Sequence, residues 1–343
     1  MKKRFAAMAL SSAIVFCGIC AFASDGFVVT PEKSFVSEER YSEQVYYPVL
    51  GDSSFPIAKA INDKITKSMS EVRENIKNTI IETQESYEEG ISTGMYSYHS
   101  VYQYNMCGDL VSVKTENYVY SGGAHGISYL ASYTGNIGGK DTFTLGDLFK
   151  EEQDGITTVK NIVKEKINEQ KDMYFDEALT TVDNMDLSNS FYIDETGNIV
   201  IYFNPYEVAP YAGGIMEFSI SPEELEDVLK TNIYSYLKSG ESEKCLLRFN
   251  GAPYYPENGT LKSGDTLYVP LREVAGKLGI DVQWSAETGA LVNGEKLTQK
   301  SGAILVKDTN YVPIAYFRLF EDYADMVFDS DDIQNIFCIS DEK

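Results

Sequence analysis

Two histidines, His99 and His125, stand among 343 residues, so chemistry that needs several imidazoles is out of reach. His125 lies in Ser121-Gly122-Gly123-Ala124-His125-Gly126, a turn whose glycines allow positive φ or a close backbone approach to a ligand. Ser121 and His125 supply a hydroxyl and a base, but no acid or oxyanion motif accompanies them, so hydrolysis is not expected. The turn reads as a ligand contact through Gly122, Gly123 and His125, or as a structural turn with a satisfied imidazole. A second cluster runs Tyr206-Glu207-Val208-Ala209-Pro210-Tyr211-Ala212-Gly213-Gly214. Tyr206 and Tyr211 are amphipathic anchors of the kind interfaces favour. Glu207 adds a carboxylate, and Gly213 and Gly214 end the loop. The competing reading is a loop merely shaped by proline and glycine. These eight residues are the ligand-binding candidates. No catalytic residue, metal ligand or cofactor is expected, and neither is an enzyme.

Other clusters point to packing or solvent. Tyr96, Tyr98, Tyr102 and Tyr104 share one parity, hence one strand face, which suits either a core or a stacking surface. Asp329-Ser330-Asp331-Asp332 lacks the glycine and distal glutamate of a calcium loop and reads as a solvated acidic turn.

The elements that must position these residues follow from periodicity. Residues 24–40 read as a polar, flexible lead-in. Ile57, Ile61, Ile65, Met69, Val72, Ile76 and Ile80 recur every three or four residues and predict a helix from Pro56 to Glu89. Alternating segments over the next fifty residues predict an antiparallel meander packed by that helix. Ile156, Val159, Ile162, Val163 and Ile167 mark a second amphipathic helix. Strand segments flanking Glu195-Thr196-Gly197 predict a hairpin, and Ile215 to Ile220 a further strand. Ser221-Pro222-Glu223-Glu224 is a helix start, with the helix running to about Tyr236. In the last hundred residues Leu267-Tyr268-Val269-Pro270-Leu271 recurs, degenerately, as Asn310-Tyr311-Val312-Pro313-Ile314. The fold class is therefore α+β: antiparallel sheets packed by amphipathic helices, then a small C-terminal α+β domain with an internal repeat. The expected division is 24–140, 141–237, a linker at 238–244, and 245–343.

Met1-Lys2-Lys3-Arg4, an uncharged run to Ala23 and an Ala21-Phe22-Ala23 ending read as a signal peptide over residues 1–23. An exported protein of the cell envelope or cell wall is expected, without membrane attachment after cleavage. Net charge is −23, and losing the leader with its three cations takes it to −26. That balance repels phosphate backbones and excludes nucleic acid as a partner, while it steers cationic partners. Cys107, Cys245 and Cys338 remain, an odd number. They are read as buried thiols, or as one Cys245–Cys338 bridge with Cys107 left over.

Residues 245–343 resemble the copper amine oxidase N-terminal-like domain through Leu267-Tyr268-Val269-Pro270-Leu271-Arg272-Glu273-Val274-Ala275 and Leu278-Gly279-Ile280-Asp281-Val282-Gln283-Trp284. The segment has no histidine, so copper is not expected there. The resemblance implies a stalk or wall-associated module.

Residues 41–236 resemble the paired extracytoplasmic domains of the anti-sigma factor RsiV and of the deacetylase PdaC. The resemblance rests on Tyr47-Pro48, Ile61-Asn62 and Tyr120-Ser121-Gly122-Gly123-Ala124-His125. It continues through Phe143-Thr144-Leu145-Gly146-Asp147-Leu148-Phe149 and Ile201-Tyr202-Phe203-Asn204-Pro205-Tyr206-Glu207-Val208-Ala209-Pro210-Tyr211. No anti-sigma segment is expected ahead of the leader, and no deacetylase domain is expected, because its Asp and His-x-x-x-His pair are not found in the sequence. The resemblance implies a binding module, with a cationic lysozyme-like protein as partner. Wall glycan, or a spacer without a ligand, is the alternative.

Overall fold

The computed structural model describes residue 27 and residues 29–51, 55–90, 94–239, 247–249, 252–254, 256, 258, 260–263, 266–285, 289–306, 308–320, 323–326 and 334–338. The signal-peptide segment, Cys245 and the acidic turn at 329–332 lie outside them. The chain divides into two compact units, Met1–Gly240 and Glu241–Lys343.

Unit 1 opens with a hairpin, β1 (Val29–Ser37) and β2 (Tyr41–Leu50), paired from Val29↔Leu50 to Ser37↔Ser42. Residues 29–37 are thus a strand and not the flexible lead-in their polarity suggests. Half-buried edge strands tolerate polar outward positions, and Phe27 and Val29 anchor this one in the core. Then comes α1 (Pro56–Glu82), which buries Ile57, Ala58, Ile61, Ile65, Met69 and Ile76. Asn62 locks it to β2: its side chain accepts from Leu50 N and donates to Leu50 O, both at 2.9 Å. The helix stops at Thr83, short of the expected Glu89, and α2 (Gln84–Glu88) follows. Arg40 makes that break. Its guanidinium donates to Ile80 O, Gln84 Oε1 and Thr83 Oγ1, taking up a terminal carbonyl of α1.

The meander is β3 (Tyr96–Cys107), β4 (Leu110–Tyr120) and β5 (Ile127–Asn136). The sheet order is β1-β2-β3-β4-β5. One pair departs from the antiparallel expectation: β2 and β3 run parallel, Tyr41↔Tyr96 to Val45↔Ser100, because α1 supplies the crossover between them. Tyr96, Tyr98, Tyr102 and Tyr104 are all buried. Tyr98 donates to Asn117 Oδ1 within the core, so these rings are packing and not a stacking surface.

The second half of unit 1 comprises α3 (Glu152–Glu169), α4 (Ala178–Asn184) and the sheet β6 (Phe191–Ile193), β7 (Ile199–Phe203) and β8 (Met216–Ile220), closed by α5 (Thr231–Ser239). Val159, Val163 and Ile167 of α3 share one core with Ile199, Ile201 and Phe203 of β7 and Leu237 of α5. The other face of this sheet meets the first. Leu130 of β5 packs with Tyr192, Val200 and Tyr202, Asn105 donates to Ile193 O and Ile193 N to Ser112 Oγ. The single helix expected from Ser221 is split into a 3-10 turn, Pro222–Leu225, and α5. A bridge between Phe149 and Leu229 draws the intervening chain out of helical geometry.

Unit 2 holds β9 (Leu247–Phe249), β10 (Ala252–Pro253), β11 (Leu261–Ser263), β12 (Thr266–Pro270), α6 (Leu271–Lys277), β13 (Val282–Ser285), β14 (Gly289–Val292), β15 (Glu295–Lys296), β16 (Ile304–Val306), β17 (Thr309–Pro313), β18 (Tyr323–Met326) and β19 (Gln334–Cys338). Three sheets result, ordered β10-β9-β19-β18, β11-β12-β17-β16 and β13-β14-β15. The repeated strands pair with each other. Val269 faces Val312, Tyr268 faces Pro313 and Pro270 faces Tyr311, which is local two-fold symmetry about the central valines. Each strand leads into a helical turn, α6 or the 3-10 segment Ile314–Leu319. Both units are α+β.

Candidate functional site

The loop after β7 sets the site's geometry. Glu207 N donates to Asn204 O, closing a turn with Pro205 and Tyr206 at its centre. Tyr206 takes φ 73°, which a turn of this kind requires of its third residue and which usually selects glycine. A tyrosine there carries strain of about 1–2 kcal/mol. Asn204 Oδ1 accepts from Leu130 N, tying the loop to β5.

The held loop presents aromatic rings to the glycine turn between β4 and β5. The His125 imidazole stacks on Tyr211 with centroids 4.0 Å apart and planes 25° apart. Tyr206 continues the stack, 5.8 Å from Tyr211 at 29°. Tyr211 Oη and His125 Nδ1 both donate to Gly126 O, at 3.0 and 2.9 Å. Because a carbonyl oxygen only accepts, Nδ1 carries a proton in this contact. Gly126 has to be glycine, because a Cβ there would lie 2.4 Å from the Tyr118 ring. Tyr206 is 53% exposed, His125 is exposed and Tyr211 half-buried, so the stack is a ledge open to solvent.

Three of the eight candidates, His125, Tyr206 and Tyr211, therefore meet in one place. The others shape it. Gly122 and Gly123 take φ 92° and 95° with open space around them, and Gly123 O accepts from Tyr120 Oη. Gly214 takes φ 66°, and Gly213 approaches Ala209 and Met216. Glu207 is turned inward and accepts from Asn204 N at 2.6 Å. Burial pushes its carboxyl up from the ordinary range, against the pull of that amide.

A buried polar cluster between the two sheets escaped sequence reasoning. Lys114 Nζ donates to Tyr192 Oη at 3.0 Å and to Glu217 Oε1 at 3.3 Å, and lies 4.2 Å from the Tyr192 ring centroid. Tyr192 Oη donates to Glu217 Oε1 at 2.7 Å. Burial, helped by Glu217 and opposed by Lys114, pushes Glu116 up to about 7. The available signal was parity: Lys114 and Glu116 share one face of β4. Cys107 is a free thiol, pushed up to about 12 by burial and, less, by the acids at 194 and 195.

Two family models match separate stretches of unit 1. Residues 36–128 match the family model described as Deacetylase PdaC, and residues 146–223 match Protein of unknown function (DUF3298). The chain is 28% identical over 123 residues to the peptidoglycan-N-acetylmuramic acid deacetylase PdaC of Bacillus subtilis (strain 168). That stretch is 35% of this chain and 26% of the relative, so the chain spans about a quarter of the curated protein it matches. A solved DUF3298-family structure from Bacteroides fragilis is 19% identical, with TM-score 0.45, covering 63% of this chain and all of that one. Another, from Pseudomonas aeruginosa, is 14% identical with TM-score 0.38, covering 60% and 94%. Two stretches of unit 1 are thus similar to PdaC and to DUF3298 proteins, which agrees with the PdaC part of the resemblance over 41–236. The expectation that it is not an enzyme is overturned: residues 36–128 match a family described as a deacetylase, and a deacetylase is the curated relative.

Proposed function

We propose that this chain is an exported cell-envelope protein directed at peptidoglycan, and that unit 1 engages glycan strands on the ledge of His125, Tyr211 and Tyr206. The observation that carries this reading is the composition of the ledge. His125 falls within the PdaC-like region and both tyrosines within the DUF3298 region, so the ledge exists only where the two meet. Strain retained at Tyr206 to hold an exposed ring is what a ligand-binding loop costs and a purely structural loop avoids. Stacked rings with polar edges suit the apolar faces and hydroxyl rims of sugars. The relative is named as a deacetylase of peptidoglycan, and the basic, then apolar, leader supports export.

The net charge of −23 favours a second reading, in which a cationic lysozyme-like protein docks at the same ledge. One experiment separates them. Purified protein is sedimented with isolated peptidoglycan, and titrated with lysozyme, at low and physiological salt, beside a Tyr206→Ala, Tyr211→Ala variant. Salt-resistant sedimentation that the variant weakens supports the glycan reading. Salt-resistant one-to-one lysozyme binding that the variant loses supports the protein partner. Acetate released from the same suspensions reports whether engagement leads to deacetylation.

A further inference from the structure

Unit 2 contains a groove of about 530 Å³ lined by Trp284, Arg272, Gln283, Asn258 and Glu273. Trp284 is the chain's single tryptophan, yet it is 61% exposed and stands outside the core built from Leu271, Val274 and Val312. Its partner on β14 is Ala290, too small to cover an indole. Large aromatic surface left in water at a groove is available for contact with a ligand. Arg272, in the first turn of α6, is exposed and makes no hydrogen bond or ion pair among the described residues. Asn258 is held in place by donating from N to Glu273 Oε1 at 3.1 Å and accepting at O from Tyr311 Oη at 2.7 Å. Gln283 spends its Nε2 on Asp281, which leaves the amide oxygen as an acceptor.

An apolar plate, a guanidinium fork and fixed amides form a set with a recognisable complement. The plate takes the C–H face of a pyranose ring, the amides take hydroxyl or acetamido groups, and the fork takes a carboxylate bidentately. We propose that this groove binds one sugar ring of a glycan strand, with Trp284 stacking on the ring and Arg272 receiving a carboxylate on the sugar's substituent. The choice of sugar rests on the peptidoglycan reading of unit 1; the site itself uses none of that unit's residues.

Because Trp284 is the only tryptophan, its emission reports on this groove alone. The full chain is titrated with the disaccharide N-acetylglucosaminyl-N-acetylmuramic acid, which carries a carboxylate, and with neutral chitobiose. The expected result is a saturable blue shift with both and about tenfold tighter binding of the muramyl sugar. Arg272→Gln, an exposed substitution whose fold is checked by circular dichroism, should retain the shift and lose the preference. No shift with either sugar, or a preference that survives Arg272→Gln, overturns the proposal. So does an equal shift with a carboxylate-bearing stem peptide lacking sugar, which would assign the groove to peptide. A failure here leaves sedimentation through the unit 1 ledge unchanged, and the Tyr206→Ala, Tyr211→Ala variant leaves the Trp284 shift unchanged. The two readings therefore fail separately.

Discussion

His125 and Tyr211 are 86 positions apart in numbering, yet their rings stack at 4.0 Å and both donate to the carbonyl of Gly126. The stack couples the turn after β4 to the loop after β7. Tyr211→Phe removes one of the two hydrogen bonds and keeps the ring, so unfolding free energy should drop by about 1 kcal/mol with peptidoglycan sedimentation retained. Tyr211→Ala removes the platform, and sedimentation should fall about tenfold or more. Equal binding by both variants would show that the ring face is not the contact.

Tyr206 occupies backbone that glycine prefers. In Tyr206→Gly the relief of strain at φ 73° offsets the entropy glycine adds to the unfolded chain. Urea denaturation should therefore place the variant within about 1 kcal/mol of the parent despite the loss of a large side chain. Its binding should fall as in Tyr211→Ala. A destabilisation of several kcal/mol would instead make Tyr206 a packing residue.

Glu43 is buried on β2 and gripped by Arg73 of α1 through Nε at 2.8 Å and Nη2 at 2.5 Å. Burial alone would raise its carboxyl, but hydrogen bonds from Arg73, Ser34 and Tyr41 outweigh that and hold it below the ordinary carboxylate range. The stability it contributes is present above the unfolded value of about 4.3 and is lost as pH falls through the lower folded value. Arg73→Met should cost about 3 kcal/mol at neutral pH, because it leaves the buried carboxylate without its cation. It should also remove the acid-side loss in a stability–pH profile.

Glu116 has the opposite sign. Burial raises it to about 7 in the folded chain, against about 4.3 unfolded. Its contribution is therefore full below about 4.3 and is lost as pH rises through 7. Glu116→Gln should flatten the profile between those values and stabilise the protein at pH 8 by on the order of 1–3 kcal/mol. Chemical denaturation at pH 5 and pH 8 tests this: a variant less stable than the parent at both would mean that the ionised carboxylate is well accommodated.

Elements that bury a local stripe were legible from spacing alone. The isoleucines of α1, the valines of α3 and the repeated Tyr-Val-Pro strands announce their faces because side-chain periodicity follows directly from 3.6 or 2 residues per repeat. Misread stretches were those where a distant partner overrides local preference. Polar residues 29–37 become a strand because β2 offers an edge to pair with. α1 ends at Thr83 because Arg40 reaches its last turn, and the helix expected after Ser221 breaks where Leu229 bridges to Phe149. Ligand-candidate residue types were visible in the same way, since glycine, proline and tyrosine clusters mark loops that carry rings. Periodicity, charge and loop chemistry are properties of neighbours along the chain, and the amino-acid order determines them unaided. Which rings of two loops stack, that Glu207 turns inward while Tyr206 stays out, and that Lys114 meets Tyr192 and Glu217 were decided only by the tertiary structure. Contacts between residues some 80 to 100 positions apart depend on how two sheets pack face to face, and no local pattern encodes that distance.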